Sequence, residues 1–153
     1  MLRIASEVLA ELERWARASY PHEACALLIG GVREGEGRVA AVRLARNLEE
    51  RRAQERFDLH PADHLAAERM ARALGLAVVG LWHTHPDRPA RPSAEDRAAA
   101  AEGWVHLISS LGEVGAMESR AWLLRGARCV ELRLEIEIGG IERPASGGRA
   151  HSP

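Results

Sequence analysis

The sequence lacks a long uninterrupted apolar run, and this absence excludes several classes of protein. The first residues, "MLRIASEVLAELERWA", carry a charge every few positions, which is unlike the apolar core of a signal peptide. No apolar run in the sequence is long enough to cross a bilayer. We therefore expect a cytoplasmic protein with no membrane partner.

The chain also lacks an excess of charge of one sign, and it has few cysteines. Its formal net charge is −1, so the composition favours neither nucleic acid nor an anionic membrane as a partner. Cys25 and Cys129 are too few and too far apart to form a disulfide framework or a Cys-rich zinc site. All 21 basic residues are arginine, and we attribute the absence of lysine to compositional bias.

What is present is typical of one folded domain. The chain has 153 residues, of which 46% are hydrophobic and 28% charged, a composition that argues against disorder over most of its length. We predict a single domain over residues 1–138. The last segment, residues 139–153, has the Gly, Pro and Ser content of a disordered tail.

Hydrophobic periodicity predicts three helices and six strands. The helices cover Ser6–Ser19, with Ser6 as a cap, Pro61–Gly75 and Ser93–Glu102. The strands cover Ala24–Gly31, Val39–Leu44, Leu76–Trp82, Trp104–Leu111, Ala121–Leu124 and the strictly alternating Val130–Ile138, and residues 47–57 form a loop. Strands interleaved with helices predict an α/β fold of three layers, a mixed sheet with helices on both faces.

One short stretch, "GLWHTHPDRPARPSAED", concentrates polar residues behind an apolar strand. His83 and His85 are two positions apart, the spacing that places both side chains on one face of a strand. Pro86 ends the strand. A catalytic zinc ion takes three protein ligands from histidine and carboxylate, and Asp96 at the head of the next helix is the best third candidate.

The same residues have a second interpretation that needs no metal. Ser93 and Asp96 are spaced as in a capping box, in which a side chain at each position caps the helix start. A His-x-His pair at a strand end is also common without a metal. The spacing alone does not decide between a metal site and a helix cap.

A general base is less visible. Glu23 lies just before the predicted strand "ACALLIGG", where it could project toward the site, but a solvated glutamate in a turn explains it as well. "HEACA" opens like the H-E-x-x-H zinc helix, and Ala26 excludes that interpretation.

Together these residues resemble a known family, the JAMM or MPN-plus metalloproteases. The resemblance is carried by Pro21–Gly30, with its glutamate, by Gly80–Pro86, with H-[ST]-H-P, and by Pro92–Asp96, with S-x-x-D. Seven residues separate the second histidine from the serine. It covers about Leu2 to Ile138 and is most similar to small stand-alone bacterial members. Ala26 stands where glycine is common.

The resemblance implies a cytidine-deaminase-like α/β sandwich and a zinc hydrolase. In such an enzyme His83, His85 and Asp96 would bind Zn2+, Glu23 would deprotonate the attacking water, and Ser93 would hydrogen-bond the oxyanion. Family members cleave isopeptide or peptide bonds after the C-terminal Gly-Gly of ubiquitin-like proteins, and bacterial relatives act on β-grasp sulfur-carrier proteins. The partner implied here is such a carrier. The sequence does not decide whether the protein also forms a homodimer.

The sequence fits three other functions less well. A non-catalytic MPN-type binding module would have lost the ligands that this sequence keeps. A zinc deaminase would need His-x-Glu and Pro-Cys-x-x-Cys, which the sequence lacks, and a DNA-repair relative would need a phosphate-binding surface. The remaining histidines are interpreted as solvated or structural: His22, His60, His64, His106 and His151.

Overall fold

The computed structural model describes residues 1–46 and 59–139. The elements are β1 (Leu2–Ala5), α1 (Ser6–Ser19), β2 (Cys25–Arg33), β3 (Glu36–Ala45), α2 (Pro61–Ala73), β4 (Ala77–Pro86), α3 (Ala94–Ala99), β5 (Val105–Leu111), β6 (Glu118–Arg125), β7 (Arg128–Leu132) and β8 (Leu134–Glu137). The strands form one mixed sheet in the order β7-β6-β5-β4-β2-β3-β1-β8. Neighbours are parallel at β4–β5, β1–β3 and β1–β8 and antiparallel elsewhere.

The sheet is strongly curved. Its two edge strands, β7 and β8, are consecutive in sequence and separated only by Arg133. Because two successive Cα–Cα steps span less than about 8 Å, the two edges of the sheet must meet at this residue. The curvature leaves a concave face that can surround a helix.

Helices cover both faces of the sheet, as the sequence predicted. On one face Val8, Leu12 and Ala16 of α1 are buried against side chains from β1 to β6. On the other face Ala67 of α2 packs against Leu27 and Leu81. The result is a three-layer α/β sandwich, and burial of these apolar faces supplies the main driving force for folding.

Two glycines allow neighbouring strands to approach closely. A Cβ atom on Gly30 would lie 1.8 Å from the carbonyl oxygen of Arg38, and one on Gly80 would lie 2.1 Å from that of Val105. Both distances are far inside van der Waals contact, so only glycine can occupy these positions without moving a strand. Gly80 holds β4 against β5 directly below the polar stretch that ends β4.

Several local predictions were wrong. The alternating segment Val130–Ile138 is not one strand: it is divided at Arg133, because its first half pairs with β6 and its second half with β1. Ser6 does not cap α1, since the N-cap is Ala5 and makes no side-chain capping bond. Strand β1 was not predicted, and α3 ends earlier than expected, at Ala99.

Other predictions concern composition and the ends of the chain. Cys25 is buried and Cys129 is partly buried, and both are free thiols. Among residues 1–46 and 59–139, no helix has the length and apolarity needed to cross a bilayer, and the cytoplasmic location stays a prediction. The predicted loop at 47–57 and the predicted tail, apart from Gly139, lie outside the described residues.

Candidate metal centre and active site

The polar stretch lies at the carboxyl end of β4, near the middle of the sheet. His83 is opposite Cys25 of β2, and His85 is opposite Ser110 of the parallel strand β5. The two rings, two residues apart on one strand, lie on the same face with their centroids 4.9 Å apart. Pro86 is the last residue of the strand, as expected from its missing backbone donor.

Thr84 lies between the two histidines, and its side chain is on the opposite face of β4. It forms hydrogen bonds with Ala24, next to the start of β2. Its backbone N–H donates to the carbonyl oxygen of Ala24 at 3.0 Å, and its hydroxyl oxygen accepts from the Ala24 N–H at 2.8 Å. This pair of hydrogen bonds fastens the start of β2 to β4. It therefore fixes the position of Glu23 relative to the histidines.

Three ligand atoms converge beside the end of β4. The Nε2 atoms of His83 and His85 are 3.1 Å apart, and each lies 3.2 Å from an oxygen of Asp96. All three side chains are at least nine-tenths buried. Among the described residues this is the one group of three or more His, Cys, Asp or Glu side chains arranged to hold a metal ion.

The tautomer of His85 shows that this cluster suits a cation. Its Nδ1 lies 2.9 Å from the carbonyl oxygen of Pro89, which can only accept, so Nδ1 carries a proton and, in the neutral ring that binds a metal, Nε2 presents a lone pair. That lone pair faces an oxygen of Asp96, also an acceptor. Tetrahedral zinc with ligand bonds of about 2.0–2.1 Å separates its nitrogen and oxygen ligands by about 3.3 Å, close to the spacing observed.

Asp96 forms the helix cap and also faces the two imidazoles, so the two interpretations of the sequence are compatible. Its Oδ2 accepts from the Ser93 N–H at 2.7 Å and its own N–H donates to the Ser93 hydroxyl oxygen at 3.0 Å, a complete capping box. The same carboxylate reaches both imidazoles. Burial opposes its ionisation, but the contacts with His83 and His85 outweigh burial and hold the pKa of Asp96 well below its usual range.

The loop from β4 to α3 is anchored at several points. The Asp87 N–H donates to the carbonyl oxygen of Leu111. The Ser110 hydroxyl donates to the carbonyl oxygen of Arg88. The Trp122 indole N–H donates to the carbonyl oxygen of Ala90 at 2.9 Å. Together with the Pro89–His85 bond, these contacts tie the loop to β4, β5 and β6. The ligand on α3 is therefore held against the ligands on β4 by a rigid connection.

Glu23 lies two residues before β2 and is almost completely buried, with 3% of its surface exposed. Burial raises the pKa of its carboxyl from 4.5 to about 7, against the opposing charges of Arg88 and His85, and the charge of Asp96 raises it further. Glu23 is therefore not the solvated turn residue that the sequence allowed. A carboxyl with a pKa near 7 beside a ligand cluster is typical of a functional site.

Ser93 is the N-cap of α3 and is partly buried. Its hydroxyl oxygen accepts the capping bond from Asp96, and a hydroxyl has one proton and two lone pairs. The cap therefore leaves the proton of Ser93 available to donate toward the cluster side of the helix.

Sequence reasoning did not single out two residues that lie at this site. Arg88 donates from its guanidinium to Oε1 of Glu23. His106 of β5 is buried edge-on to His83, with ring centroids 6.4 Å apart, and both of its nitrogens lack a hydrogen-bond partner among the described residues. Burial lowers the pKa of His106 to about 4. The period-two pattern of β5 could have placed His106 on the face of His83, whereas no pattern links Arg88 to Glu23.

A cavity of about 190 Å³ adjoins the cluster on the same face of the sheet. Its buried floor is formed by Leu81, Asp96 and His106. Leu59, Ala99, Ala101 and Trp104 complete its lining.

Comparison with known proteins agrees with this geometry. Residues 5–125 match the Prok-JAB family, described as prokaryotic homologs of the JAB domain. The chain belongs to this family. A curated relative, the desampylase of Haloferax volcanii, is 29% identical over 133 residues, which are 85% of this chain and 89% of the relative.

Two solved structures share the fold along nearly the whole chain. A protein from Desulfitobacterium hafniense is 30% identical with a TM-score of 0.82, over 91% of this chain and 94% of that one. A protein from Salinibacter ruber is 32% identical with a TM-score of 0.67, over 98% and 99%. Both are solution structures, and both place the JAB-type fold on a chain of similar length.

Proposed function

We propose that this protein is a zinc-dependent isopeptidase or peptidase that hydrolyses the bond after the C-terminal Gly-Gly of a ubiquitin-like or sulfur-carrier protein. The observation that carries the proposal is the convergence of three buried ligand atoms, from His83, His85 and Asp96, beside the buried carboxyl of Glu23. Membership of the Prok-JAB family supports it. So does similarity to a desampylase, a name that denotes removal of a ubiquitin-like modifier.

His83, His85 and Asp96 would hold the zinc ion, leaving a fourth tetrahedral position open. When bound, zinc is a Lewis acid that polarises a carbonyl group and lowers the pKa of a water molecule to about 7. The Pro89 carbonyl keeps His85 in the tautomer that zinc requires. The rest of the chemistry belongs to two side chains of the protein.

Glu23 takes a proton from the attacking water and delivers it to the leaving amine. Its pKa near 7 suits both halves of that transfer, since the group must be deprotonated to accept and protonated to donate. The hydroxyl of Ser93 donates a hydrogen bond to the oxyanion that develops on the scissile carbonyl. Both groups are anchored, Glu23 by the bonds of the neighbouring Ala24 to Thr84 and Ser93 by its cap.

The burial of the ligand cluster suggests how the substrate is chosen. A chain end that carries two glycines has no side chains at the positions next to the scissile bond, so it needs little room beside the buried cluster. The folded part of the carrier would remain outside. We propose a carrier of the β-grasp type on this basis and from the family resemblance.

The alternative function is a non-catalytic MPN-type module that binds a protein without cleaving it. Such a module needs neither metal ligands nor a base with a raised pKa. Here both are present, and the ligands are spaced for a metal. We therefore favour the enzyme.

Metal content tests the first half of the proposal. Purified protein is expected to contain about one zinc ion per chain, measured by elemental analysis, and His85→Ala should lose it because two ligands hold zinc far less tightly than three. His64→Ala is the matched control, since His64 pairs with Glu68 at the surface. Equal zinc content in both variants would contradict the ligand set.

A cleavage assay tests the second half. The substrate is a sulfur carrier extended beyond Gly-Gly by a short peptide, and ubiquitin with the same extension is compared. Cleavage is expected in the parent, should stop with a chelator and resume with added zinc. Glu23→Gln should keep its zinc and lose at least about 100-fold in rate, the usual contribution of a general base. Cleavage by Glu23→Gln at the parent's rate would rule out that base.

A further inference from the structure

Arg88 forms an ion pair with the proposed base, Glu23. Its guanidinium donates to Oε1 of Glu23, whose side chain is 2% exposed, while the side chain of Arg88 is 35% exposed. The arginine therefore reaches from the surface into the site.

The backbone of Arg88 is held by two hydrogen bonds. Its carbonyl oxygen accepts from the hydroxyl of Ser110, and its N–H donates to the carbonyl oxygen of His85 at 3.4 Å. The next residue, Pro89, orients the His85 ring. The same turn therefore fixes the orientation of the His85 ring and the backbone position from which the Arg88 side chain extends.

We propose that Arg88 is a positioning residue, which holds the Glu23 carboxylate in the single orientation from which it can take the proton of the attacking water. A buried carboxylate without a nearby cation is costly, and it would turn or become neutral. A hydrogen-bonded guanidinium, which is always charged, opposes both changes and fixes the direction of the carboxylate. This inference rests on the proposed function, because it concerns the same base.

Steady-state cleavage by the zinc-loaded protein tests the role. Arg88→Ala is expected to lower kcat about 10- to 100-fold, because small displacements of a catalytic group cost rates of this size, while KM stays within about twofold. Arg88→Lys keeps the charge and should recover part of the loss. The control is Arg91→Ala, since Arg91 is exposed on the same turn, and it should match the parent.

The effect should depend on Glu23. In a Glu23→Gln background, Arg88→Ala is expected to change the residual rate less than twofold, since the group that it positions is gone. A rise in KM at constant kcat would instead make Arg88 a substrate contact. A rise in kcat would mean that Arg88 inhibits the reaction in the parent. Either result overturns the proposal.

A second readout needs no activity. In the metal-free protein, the guanidinium protons of Arg88 should give resolved, slowly rotating NMR signals, and Glu23→Gln should abolish them while Arg91→Ala leaves them unchanged. Fast rotation in the parent overturns the ion pair. If the parent cleaves no carrier but these signals are present, the proposed function fails and the contact between Arg88 and Glu23 stands.

Discussion

Two groups of charged side chains in this protein have similar distances between partners but differ in how deeply they are buried. The first is the site, where His83 and His85 each lie 3.2 Å from Asp96. The second, which we call the charged edge, lies on β1, β3 and β8. It consists of Arg3, Glu36, Arg38, Glu135 and Glu137, paired at 3.0 to 3.7 Å.

Burial separates the two groups. Side chains of the charged edge are 30% to 68% exposed, against at most 7% for the three ligands. Water and salt screen exposed pairs, which contribute about 0 to 1 kcal/mol each. Buried groups cannot be screened, so their pKa values shift and a missing partner is costly. The comparison teaches that burial, more than distance, identifies the pairs that matter for function.

The largest contrast should come from neutralising one carboxylate in each group. Asp96→Asn keeps a side-chain oxygen that can accept the capping bond from Ser93 but removes the charge. We expect zinc affinity to fall more than 100-fold, since loss of outer partners alone costs about 10- to 100-fold. Helix content should be unchanged.

Glu137→Gln is the matched change in the charged edge, and it should leave zinc affinity unchanged. Competition with a chromophoric chelator measures the affinity, and circular dichroism follows the helix. If Asp96→Asn binds zinc like the parent, the carboxylate serves the cap alone and the site is not a metal centre.

The local pattern was enough to predict much of the site. The period of two places His83 and His85 on one face because a strand alternates its side chains, and this follows from sequence alone. The spacing of Ser93 and Asp96 predicts a cap for a similar reason. What spacing could not show is that one carboxylate both caps and faces the rings, because that depends on where the loop brings α3.

Contacts between distant segments account for the rest. Arg88 and Glu23 are 65 positions apart, and no local rule connects them. The segment Val130–Ile138 has the alternation of one strand, yet it divides at Arg133 because each half finds a different edge of a curved sheet. Curvature is a property of the whole sheet, so the pattern of one segment could not reveal it.

The second contrast concerns backbone packing in the same two regions. Gly80→Ala, below the site, would bring a Cβ within 2.1 Å of the Val105 carbonyl oxygen, whereas a Cβ at Gly31, near the charged edge, meets no atom within 4 Å. We expect Gly80→Ala to lower the free energy of unfolding by about 3 kcal/mol, the upper range for overpacking. Gly31→Ala should change it by less than about 1 kcal/mol. Urea denaturation measures both, and equal effects would mean that β4 and β5 can separate freely.

The third contrast uses pH in the metal-free protein. The pKa of Glu23 is raised by burial from 4.5 to about 7, so folding penalises its ionised form. The penalty is absent below pH 4.5, grows as pH rises and is complete above about pH 7. At about 1.4 kcal/mol per unit, Glu23→Gln should gain at most about 3 kcal/mol of stability relative to the parent across this window. Urea denaturation at pH 4.5, 6 and 8 measures it, and a constant difference would show that Glu23 is not buried in solution.

The smallest effect should come from the charged edge itself. Arg38 donates to Glu137 at 3.0 Å, but 68% of the arginine side chain is exposed, so the pair exchanges readily with water. Glu137→Gln should lower the free energy of unfolding by less than about 0.5 kcal/mol, and salt at about 1 M should remove even that difference. Urea denaturation at low and high salt makes the measurement. A loss above about 1.5 kcal/mol that persists in salt would mean that the charged edge is held as rigidly as the site, and exposure would then no longer distinguish the two regions.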